Sequence, residues 1–386
     1  MSVDALRGFD MFWIAGGGMM FRALERWQAN PVLGAIKEQL THVEWAGFHF
    51  YDLIFPLFVF LVGVSIVLAI PKSIEKRGRA GTVRHILTRG LLMYGIGVVY
   101  SDGWASGWDQ VRWLGVLNRI ALCYTATALI FTFVRRSWLL PIAIAGLVGY
   151  WSMMSFMPIR DIRLEQKSLE ALMEKRGETN VVNLFKSTQE TVRGKFDPGY
   201  NLANHLDFQL LPGKRYDTYY DPEGMLSTLP AIVTCLLGVL AGLWQSSNKV
   251  SPTRRSIGLI MAGMGCLLLG YLWSLHFPIV KKLWSSSFVL VAGGYSMILL
   301  GVFHQIVDVW QWRSWCQPFV WIGANALTIY LAAKFLNFGA IAQRIAGGPI
   351  KTALGSSGEA CVSLLGVALL FWFARFLYRR QVFIRL

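Results

Sequence analysis

The chain has 386 residues, of which 54% are hydrophobic and only 15% are charged, and its mean hydropathy is +0.45. A soluble domain carries about 25% charged residues, so the composition excludes a water-soluble globule, a disordered chain and a small disulfide-stapled domain. The net charge of +15 would suit nucleic acid only if it formed a solvated basic face. We therefore expect a protein that crosses a lipid bilayer several times and binds no nucleic acid.

Apolar segments of the length that a bilayer requires, roughly 20 residues, recur along the chain, although the first and third are short. We predict an all-α polytopic membrane protein with about ten transmembrane helices and one long extracytoplasmic insert. The predicted spans are 8–24, 47–70, 86–100, 114–134, 138–157, 226–244, 256–275, 287–308, 315–336 and 360–378.

The predicted organisation is one integral membrane domain in three parts. Residues 1–157 hold helices 1–5, residues 158–225 form the insert, and residues 226–386 hold helices 6–10. If the N-terminus is cytoplasmic, the cytoplasmic segments hold 17 Lys and Arg residues and the opposite short loops hold eight. Because positive loops stay in the cytoplasm, we predict that both termini are cytoplasmic. No N-x-[ST] sequon or loop disulfide pattern is present, which favours a bacterial inner membrane.

A histidine stands just before the second predicted span. His42 falls at its extracytoplasmic mouth, and Asp52 follows ten residues later inside the helix. An imidazole transfers protons well near neutral pH. A lone loop histidine is more often a bystander, so spacing alone leaves its role open.

Charged residues inside predicted spans are candidates for function, because burying them in hydrocarbon is costly. Asp10, Asp52, Arg119 and Lys334 fit this description. Interhelical pairing or snorkelling at a helix end explains them equally well. The remaining histidines have no spacing that indicates a metal site, so we expect no metal.

The cytoplasmic loop around residues 71–89 carries six Lys and Arg residues. Such a density could bind a polyanionic ligand, but anionic lipid headgroups attract the same pattern. Arg89 stands apart, because it begins a helix and should point between spans.

The insert ends in Asp221-Pro222-Glu223-Gly224, preceded by two tyrosines. Aromatic rings beside carboxylates would suit a sugar, especially an amino sugar. Pro and Gly equally mark a structured turn at the membrane interface, and composition does not choose between the two.

Several motifs, spread from residue 2 to the C-terminal tail, match one family in their order. They are Ser2-Val3-Asp4-Ala5-Leu6-Arg7-Gly8, His42-x-x-Trp45-x-Gly47, Asp52-Leu53-Ile54-Phe55-Pro56, Trp108-Asp109, Val111-Arg112, Gly115-Val116-Leu117-Asn118-Arg119, Tyr220-Asp221-Pro222-Glu223-Gly224, Lys282-Leu283-Trp284-Ser285, Pro318-Phe319 with Gly323-x-Asn325, and Tyr378-Arg379-Arg380-Gln381-Val382-Phe383. This arrangement resembles the heparan-α-glucosaminide N-acetyltransferases and their bacterial relatives, the transmembrane acyltransferase group.

The resemblance implies transfer of an acetyl group from cytoplasmic acetyl-CoA to an acceptor across the membrane, in lysosomal members the amine of a terminal glucosamine. The active histidine of the family falls on His42, and Asp52 is the candidate to orient it. Residues Gly16 to Gly18 occupy the stretch where the family has an asparagine, and this leaves the acceptor more open than the reaction.

The motifs and the basic loop predict two sets of binding residues. We expect acetyl-CoA to contact Arg84, Arg89, Arg119, Lys282, Trp284, Ser285 and Asn325. We expect the acceptor to contact Trp45, Asp109, Arg112, Asn201, Asp207, Asp221 and Glu223. The expected partners are the bilayer, acetyl-CoA, an amino-sugar or glycan acceptor and a second copy of the chain. The alternative is a transporter for an amino sugar or small oligosaccharide, with its site at the midplane on broken helices.

Overall fold

A computed structural model describes residues 1–24 and 31–383 of the chain, and these residues are mainly helical. The last three residues of the predicted C-terminal part, 384–386, lie outside the described residues. The helices are α1 (Ser2–Leu24), α2 (Pro31–Gln39), α3 (Phe50–Tyr100), α4 (Val116–Phe133), α5 (Leu139–Phe156), α6 (Gln166–Arg176), α7 (Val181–Ser187), α8 (Leu202–Leu210), α9 (Thr228–Gln245), α10 (Pro252–Trp273), α11 (Ser286–Phe303), α12 (Gln317–Gly323), α13 (Ala326–Phe335), α14 (Phe338–Ala346), α15 (Pro349–Ala353) and α16 (Gly358–Arg379).

Seven of the described helices are long and apolar enough to cross a membrane, or eight if the bent pair α13 and α14 is one span. This confirms the all-α polytopic class, whereas the number of ten spans is not confirmed. Six of the predicted spans coincide closely with α4, α5, α9, α10, α11 and α16. The helix α1 begins six residues before the predicted segment, and it is not among the seven.

The predicted second and third spans form one continuous element, α3, of 51 residues. It reverses at Gly78, whose φ of 68° and ψ of 177° lie outside the helical region. The Oγ of Ser73 lies 3.1 Å from the Oγ1 of Thr82, although a straight helix would separate residues nine apart by about 13 Å. The element is therefore a helical hairpin, and its two arms correspond to the two predicted spans.

The predicted ninth span, 315–336, is interrupted. α12 ends at Gly323, and α13 begins after Asn325, whose φ and ψ of −126° and 33° are not helical. The helix α14, which follows α13 at an angle of 51°, was not predicted, because the Gly- and Ala-rich stretch lacks a long apolar run.

The hairpin α3 lies at the centre of the helical core, with α4 and α9 packed against it. Contact with α9 is close because small residues face each other. A Cβ on Gly63 would lie 1.9 Å from the carbonyl oxygen of Cys235, and one on Gly238 would lie 1.9 Å from that of Phe60. Such small-residue contacts let helix backbones approach closely in membranes.

The predicted insert is folded around its own apolar cluster, which includes Leu164, Leu169 and Leu184. It contains the two described strands, β1 (Ile159–Arg160) and β2 (Thr191–Val192), paired antiparallel with Ile159 opposite Val192. It holds α6, α7 and α8 as well. The insert contacts the membrane part through Trp45, whose Nε1 donates to the carbonyl oxygen of Phe196 at 2.8 Å.

Candidate active site

Two loops on the insert side of the helices are held against each other. Ala46 forms an antiparallel bridge with Val280, and the N–H of Gly47 donates to the carbonyl oxygen of Ile279 at 2.9 Å. The first loop carries His42 and leads into α3, and the second loop connects α10 to α11. This pairing brings side chains about 240 residues apart in the chain into one cluster.

Asp52 organises this cluster from the first turn of α3. It occupies the third helical position, where a carboxylate commonly accepts from the backbone of the N-cap residue. Its Oδ2 accepts from the N–H of His49 at 3.1 Å and of Val43 at 3.3 Å. The side chain is fully buried, and its other oxygen, Oδ1, points away from the helix. Two backbone N–H groups therefore hold the carboxylate through Oδ2, and Oδ1 can bind another partner.

The partner of Oδ1 is the predicted catalytic histidine. The Nδ1 of His42 lies 2.8 Å from Asp52 Oδ1, and the ring lies 4.9 Å from that of Tyr51. The His42 side chain is 51% exposed, so the ring is held on one edge and accessible on the other. When Nδ1 donates to the carboxylate, Nε2 carries the free lone pair of a general base.

A lysine that was not predicted completes the cluster. The Nζ of Lys281 lies 3.3 Å from Asp52 Oδ1 and 3.0 and 3.4 Å from the two ring nitrogens of His42. Burial lowers the pKa of Lys281, while the charges of Asp52 and Glu223 raise it in part. Lys281 directly precedes the motif Lys282-Leu283-Trp284-Ser285, and only Lys282 was predicted from the sequence. Lys282 instead pairs with Asp217 at 2.8 Å.

The loop that carries Lys281 is rigidly anchored by Trp284 and Ser285. Trp284 adopts a φ of 52°, a strained value for a bulky residue. It is held there by a hydrogen bond of 2.9 Å from its Nε1 to the Oγ1 of Thr234. Ser285 caps α11 and donates to the carbonyl oxygen of Pro278 at 2.7 Å. Both residues therefore position Lys281.

A cavity of about 1140 Å³ approaches this cluster from the opposite end of the helices. Small-molecule sites usually enclose roughly 300–1,000 Å³, so the cavity can hold a large ligand. Its wall follows α3 from Lys72 to Phe55, a rise of about 25 Å at 1.5 Å per residue. Phe55 lies one helical turn from Asp52. The cavity thus runs through most of the thickness of a bilayer core, roughly 30 Å.

The far end of the cavity is basic. Its wall includes Arg7, Lys72, Arg77 and Arg89. Arg7 donates to the Oγ of Ser65 at 2.7 Å and also pairs with Asp4. The guanidinium of Arg89 lies 4.7 Å from the ring centroid of Tyr124. Four cations around one mouth form a suitable site for phosphate groups.

Polar groups without partners lie along the same wall. Both side-chain polar atoms of Asn325 are buried without a hydrogen-bond partner among the described residues, and so is the Nε of Arg89. Buried polar atoms are normally satisfied. The amide of Asn325 is therefore available to a molecule that occupies the cavity.

The predicted CoA residues fall into three groups. Arg89 and Asn325 line the cavity. Arg84 lies in a separate shallow concavity with Arg79 and Phe133. Arg119, Lys282, Trp284 and Ser285 are outside both walls and bind other parts of the protein. The cations Arg7, Lys72 and Arg77 were not predicted as CoA ligands, because a count of basic residues cannot show which ones face inward.

Arg112, Asp221 and Glu223, all predicted to contact the acceptor, bind each other. Arg112 donates to both oxygens of Asp221, at 2.9 and 2.7 Å, and to Glu223 at 2.7 Å. Beside them, Arg119 donates to the carbonyl oxygen of Pro222 at 3.0 Å, and its guanidinium lies 4.9 Å from the ring of Trp284. Residues 221–224 therefore form the structured turn that the sequence offered beside a sugar site. Of the two carboxylates, Glu223 retains 13% side-chain exposure and Asp221 retains none.

The other predicted acceptor residues lie at varied positions. Asn201 is buried and caps α8 by accepting from Asn204 N–H at 2.9 Å. Asp207 is buried and accepts from the N–H of Met225 at 2.9 Å. Trp45 is bound to the insert, and Asp109 is exposed. Direct contact of these residues with an acceptor stays a prediction.

Groups of three or more His, Cys, Asp or Glu residues that could hold a metal ion are absent from the described part of the chain. His304 and Asp308, one turn apart, have separate partners. His304 lies 2.8 Å from the Oγ of Ser256, and Asp308 binds the Ser2 hydroxyl.

Apolar helices surround a deep cavity that has cations at one end and reaches Phe55 at the other, one helical turn from the imidazole–carboxylate pair. These features define a polytopic membrane protein with a deep basic cavity. Residues 1–166, which include His42 and Asp52, match the family model described as heparan-alpha-glucosaminide N-acetyltransferase, catalytic. This part of the chain is therefore similar to the catalytic part of the heparan-alpha-glucosaminide N-acetyltransferases.

Two curated relatives carry the same name. The chain is 28% identical over 335 residues to the heparan-alpha-glucosaminide N-acetyltransferase of Mus musculus, with 77% of this chain and 49% of the relative covered. It is 26% identical over 382 residues to the Homo sapiens protein of that name, with 89% and 55% covered. The chain thus spans about half the length of the curated relatives it matches.

Proposed function

We propose that this protein is a transmembrane acetyltransferase that moves the acetyl group of cytoplasmic acetyl-CoA to an extracytoplasmic acceptor, the amine of a glucosamine-type sugar. The single observation that carries the proposal is the cavity, which begins among cations and ends one helical turn from Asp52. A nucleotide with several phosphates and a long thin arm fits such a shape, with its thioester toward His42. The similarity of residues 1–166 to this family supports the same reaction.

The proposed chemistry uses His42 as a general base. A sugar ammonium must lose a proton before its nitrogen can attack the thioester, and a positioned base contributes about 10²–10⁴ in rate. Asp52 holds Nδ1, so Nε2 accepts that proton. We favour direct transfer in a ternary complex, because an acetyl-imidazole on a half-exposed ring would be open to water. Direct transfer predicts intersecting lines in two-substrate kinetics, and a covalent intermediate predicts parallel lines.

Glu223 is the acidic residue that we place nearest the acceptor. Its negative charge raises the pKa of Lys281 in the cluster and of Arg112 in the turn. Its carboxylate remains partly exposed. Asp221, Asp207 and Asn201 then hold this turn in place. Glu223→Gln should raise the KM for glucosamine and leave that for acetyl-CoA unchanged. An unchanged KM for glucosamine in a folded Glu223→Gln protein would contradict direct contact.

The test of the function is acetyl transfer by the purified protein in detergent or nanodiscs. Radiolabelled acetyl-CoA and glucosamine should yield labelled N-acetylglucosamine with the wild type and very little with His42→Gln. Glu38→Gln is a suitable control. Glu38 lies near the end of α2, just before the loop that carries His42, and its carboxylate is 3.9 Å from His49 but outside the cluster. A folded wild-type protein that binds no CoA and transfers no acetyl group to any amine would overturn the proposal.

A transporter is the second candidate, and the broken segment around Asn325 with the 51° bend between α13 and α14 favours it. Transporters bind substrates on such interrupted helices. Proteoliposomes decide between the two. Uptake of glucosamine without CoA would support transport, whereas product formation that requires CoA supports the transferase.

A further inference from the structure

The cluster around His42 contains a primary amine of the protein itself. Lys281 Nζ lies 3.4 Å from the Nε2 of His42, the nitrogen proposed to act as the base, and 3.0 Å from Nδ1. The loop bridge and the Trp284 turn hold Lys281 there. Its neighbour Lys282 points to Asp217 instead. Of these two adjacent lysines, only Lys281 contacts the proposed base.

We propose that Lys281 is itself an acetyl acceptor, so that the protein acetylates its own Lys281 Nζ when acetyl-CoA is bound and no sugar amine is present. This inference rests on the proposed function, because it requires the same acetyl-CoA and the same base. It adds a modification site to that function.

The step balances with acetyl-CoA alone. The ammonium of Lys281 gives one proton to His42, and the neutral amine attacks the carbonyl carbon of the thioester. The carbon–sulfur bond breaks, and the CoA thiolate takes the proton that the new amide nitrogen gives up. The products are N-acetyl-lysine, CoA and one proton, which leaves from the exposed edge of His42.

The surroundings of Lys281 both favour and limit this step. Burial lowers the pKa of the amine, which favours its neutral, nucleophilic form. The ion pair with Asp52 at 3.3 Å opposes deprotonation, so the step is slower than transfer to a mobile sugar amine. A bound sugar excludes the lysine from the thioester, and the acceptor therefore protects the protein.

Acetylation would change the cluster, because it removes the charge of Lys281. Asp52 would lose its cationic partner, and the bulkier amide would fill the space beside His42. We expect the modified protein to transfer acetyl groups poorly. The site would thus shut down when acetyl-CoA is abundant and the acceptor is absent.

The experiment incubates the purified full chain with radiolabelled acetyl-CoA, with and without glucosamine, and maps acetyl groups by peptide mass spectrometry. We expect acetyl-Lys281 only without glucosamine, in at least about tenfold excess over acetyl-Lys282, since a positioned base contributes about 10²–10⁴. The modification should resist neutral hydroxylamine, which removes acetyl from histidine. Lys281→Arg should carry no stable label, and Lys282→Arg should be labelled like the wild type.

The other possible results distinguish a failure of this inference from a failure of the proposed function. If the protein acetylates glucosamine but leaves Lys281 unmodified without acceptor, the inference is wrong and the proposed function stands. If Lys281 and Lys282 are acetylated equally, and equally in His42→Gln, the labelling is uncatalysed and the inference is also wrong. If folded protein acetylates neither glucosamine nor itself, the proposed function fails and the inference fails with it.

Discussion

Asp52 Oδ1 lies 2.8 Å from His42 Nδ1, while the other oxygen of the same carboxylate caps the helix that carries it. One residue therefore links the start of α3 to the orientation of the imidazole. The ten-residue separation in the chain is bridged because the loop folds back over the helix N-terminus. A change at Asp52 should affect chemistry more than folding, provided that the substitute still caps the helix.

We predict that Asp52→Asn lowers kcat by about 10²-fold or more, since the amide does not favour the tautomer with Nε2 free and does not stabilise the imidazolium. The KM for acetyl-CoA should stay near that of the wild type, because the phosphates bind at the other end of the cavity. Steady-state kinetics with both substrates measures this. A kcat close to wild type in Asp52→Asn would show that Asp52 does not orient His42 for catalysis.

The basic mouth of the cavity allows a matched pair of variants. Arg89 lines the cavity and Arg84, five residues earlier on the same helix, does not. A hydrogen bond to a charged group contributes about 1.5–3 kcal/mol, so Arg89→Ala should weaken CoA binding by about tenfold or more. Arg84→Ala should change it little. Titration calorimetry at two salt concentrations checks both, and equal losses in the two variants would contradict this placement of the phosphates.

The sequence predicted the class of fold because hydropathy reports which segments avoid water. It could not show that 47–70 and 86–100 are arms of one hairpin turned at Gly78, because a glycine in a basic loop has many uses. Hydropathy also did not predict the break between α12 and α13 at Asn325. Its neighbours are apolar, and hydropathy averages over a single polar residue in a long window.

The candidate site was predictable where one motif carried its chemistry, as for His42 and Asp52. Lys281 was missed because its importance depends on the contact between two loops, and pairing of Ala46 with Val280 leaves no local signal. Asp221 shows that composition does not report the partners of a side chain. An acidic residue beside tyrosines resembles a sugar site, yet its carboxylate is fully buried against Arg112.

This pairing predicts a large effect on stability. Arg112→Ala would leave the buried carboxylate of Asp221 without its cation, and loss of one partner of a buried pair costs about 3–5 kcal/mol. Arg163→Ala is the control, because Arg163 is 42% exposed and lies 3.8 Å from Asp197, where surface pairs contribute under about 1 kcal/mol. Thermal unfolding in detergent should show a large drop for Arg112→Ala only. Similar curves for the two variants would mean that the turn does not depend on this pair.

The last prediction concerns the pH dependence of the insert. Burial raises the pKa of Asp207 to about 6, although the N–H groups of Met225 and Asp221 partly oppose the rise. Between about pH 4 and pH 6 the folded protein therefore keeps a proton on Asp207 that the unfolded chain has released. Since the folded state binds more protons in this window, the free energy of unfolding falls as the pH rises through it.

Asp207→Asn should therefore reduce the dependence of thermal stability on pH between 4 and 6, whatever its effect on absolute stability. The suitable control is Asp197→Asn, in the same segment, because that carboxylate is 57% exposed and its removal should leave the slope unchanged. Unfolding temperatures measured at several pH values across the window give both slopes. If Asp207→Asn and the wild type have parallel profiles, Asp207 is already ionised in the folded protein at pH 5, and the hydrogen bonds from the turn outweigh its burial.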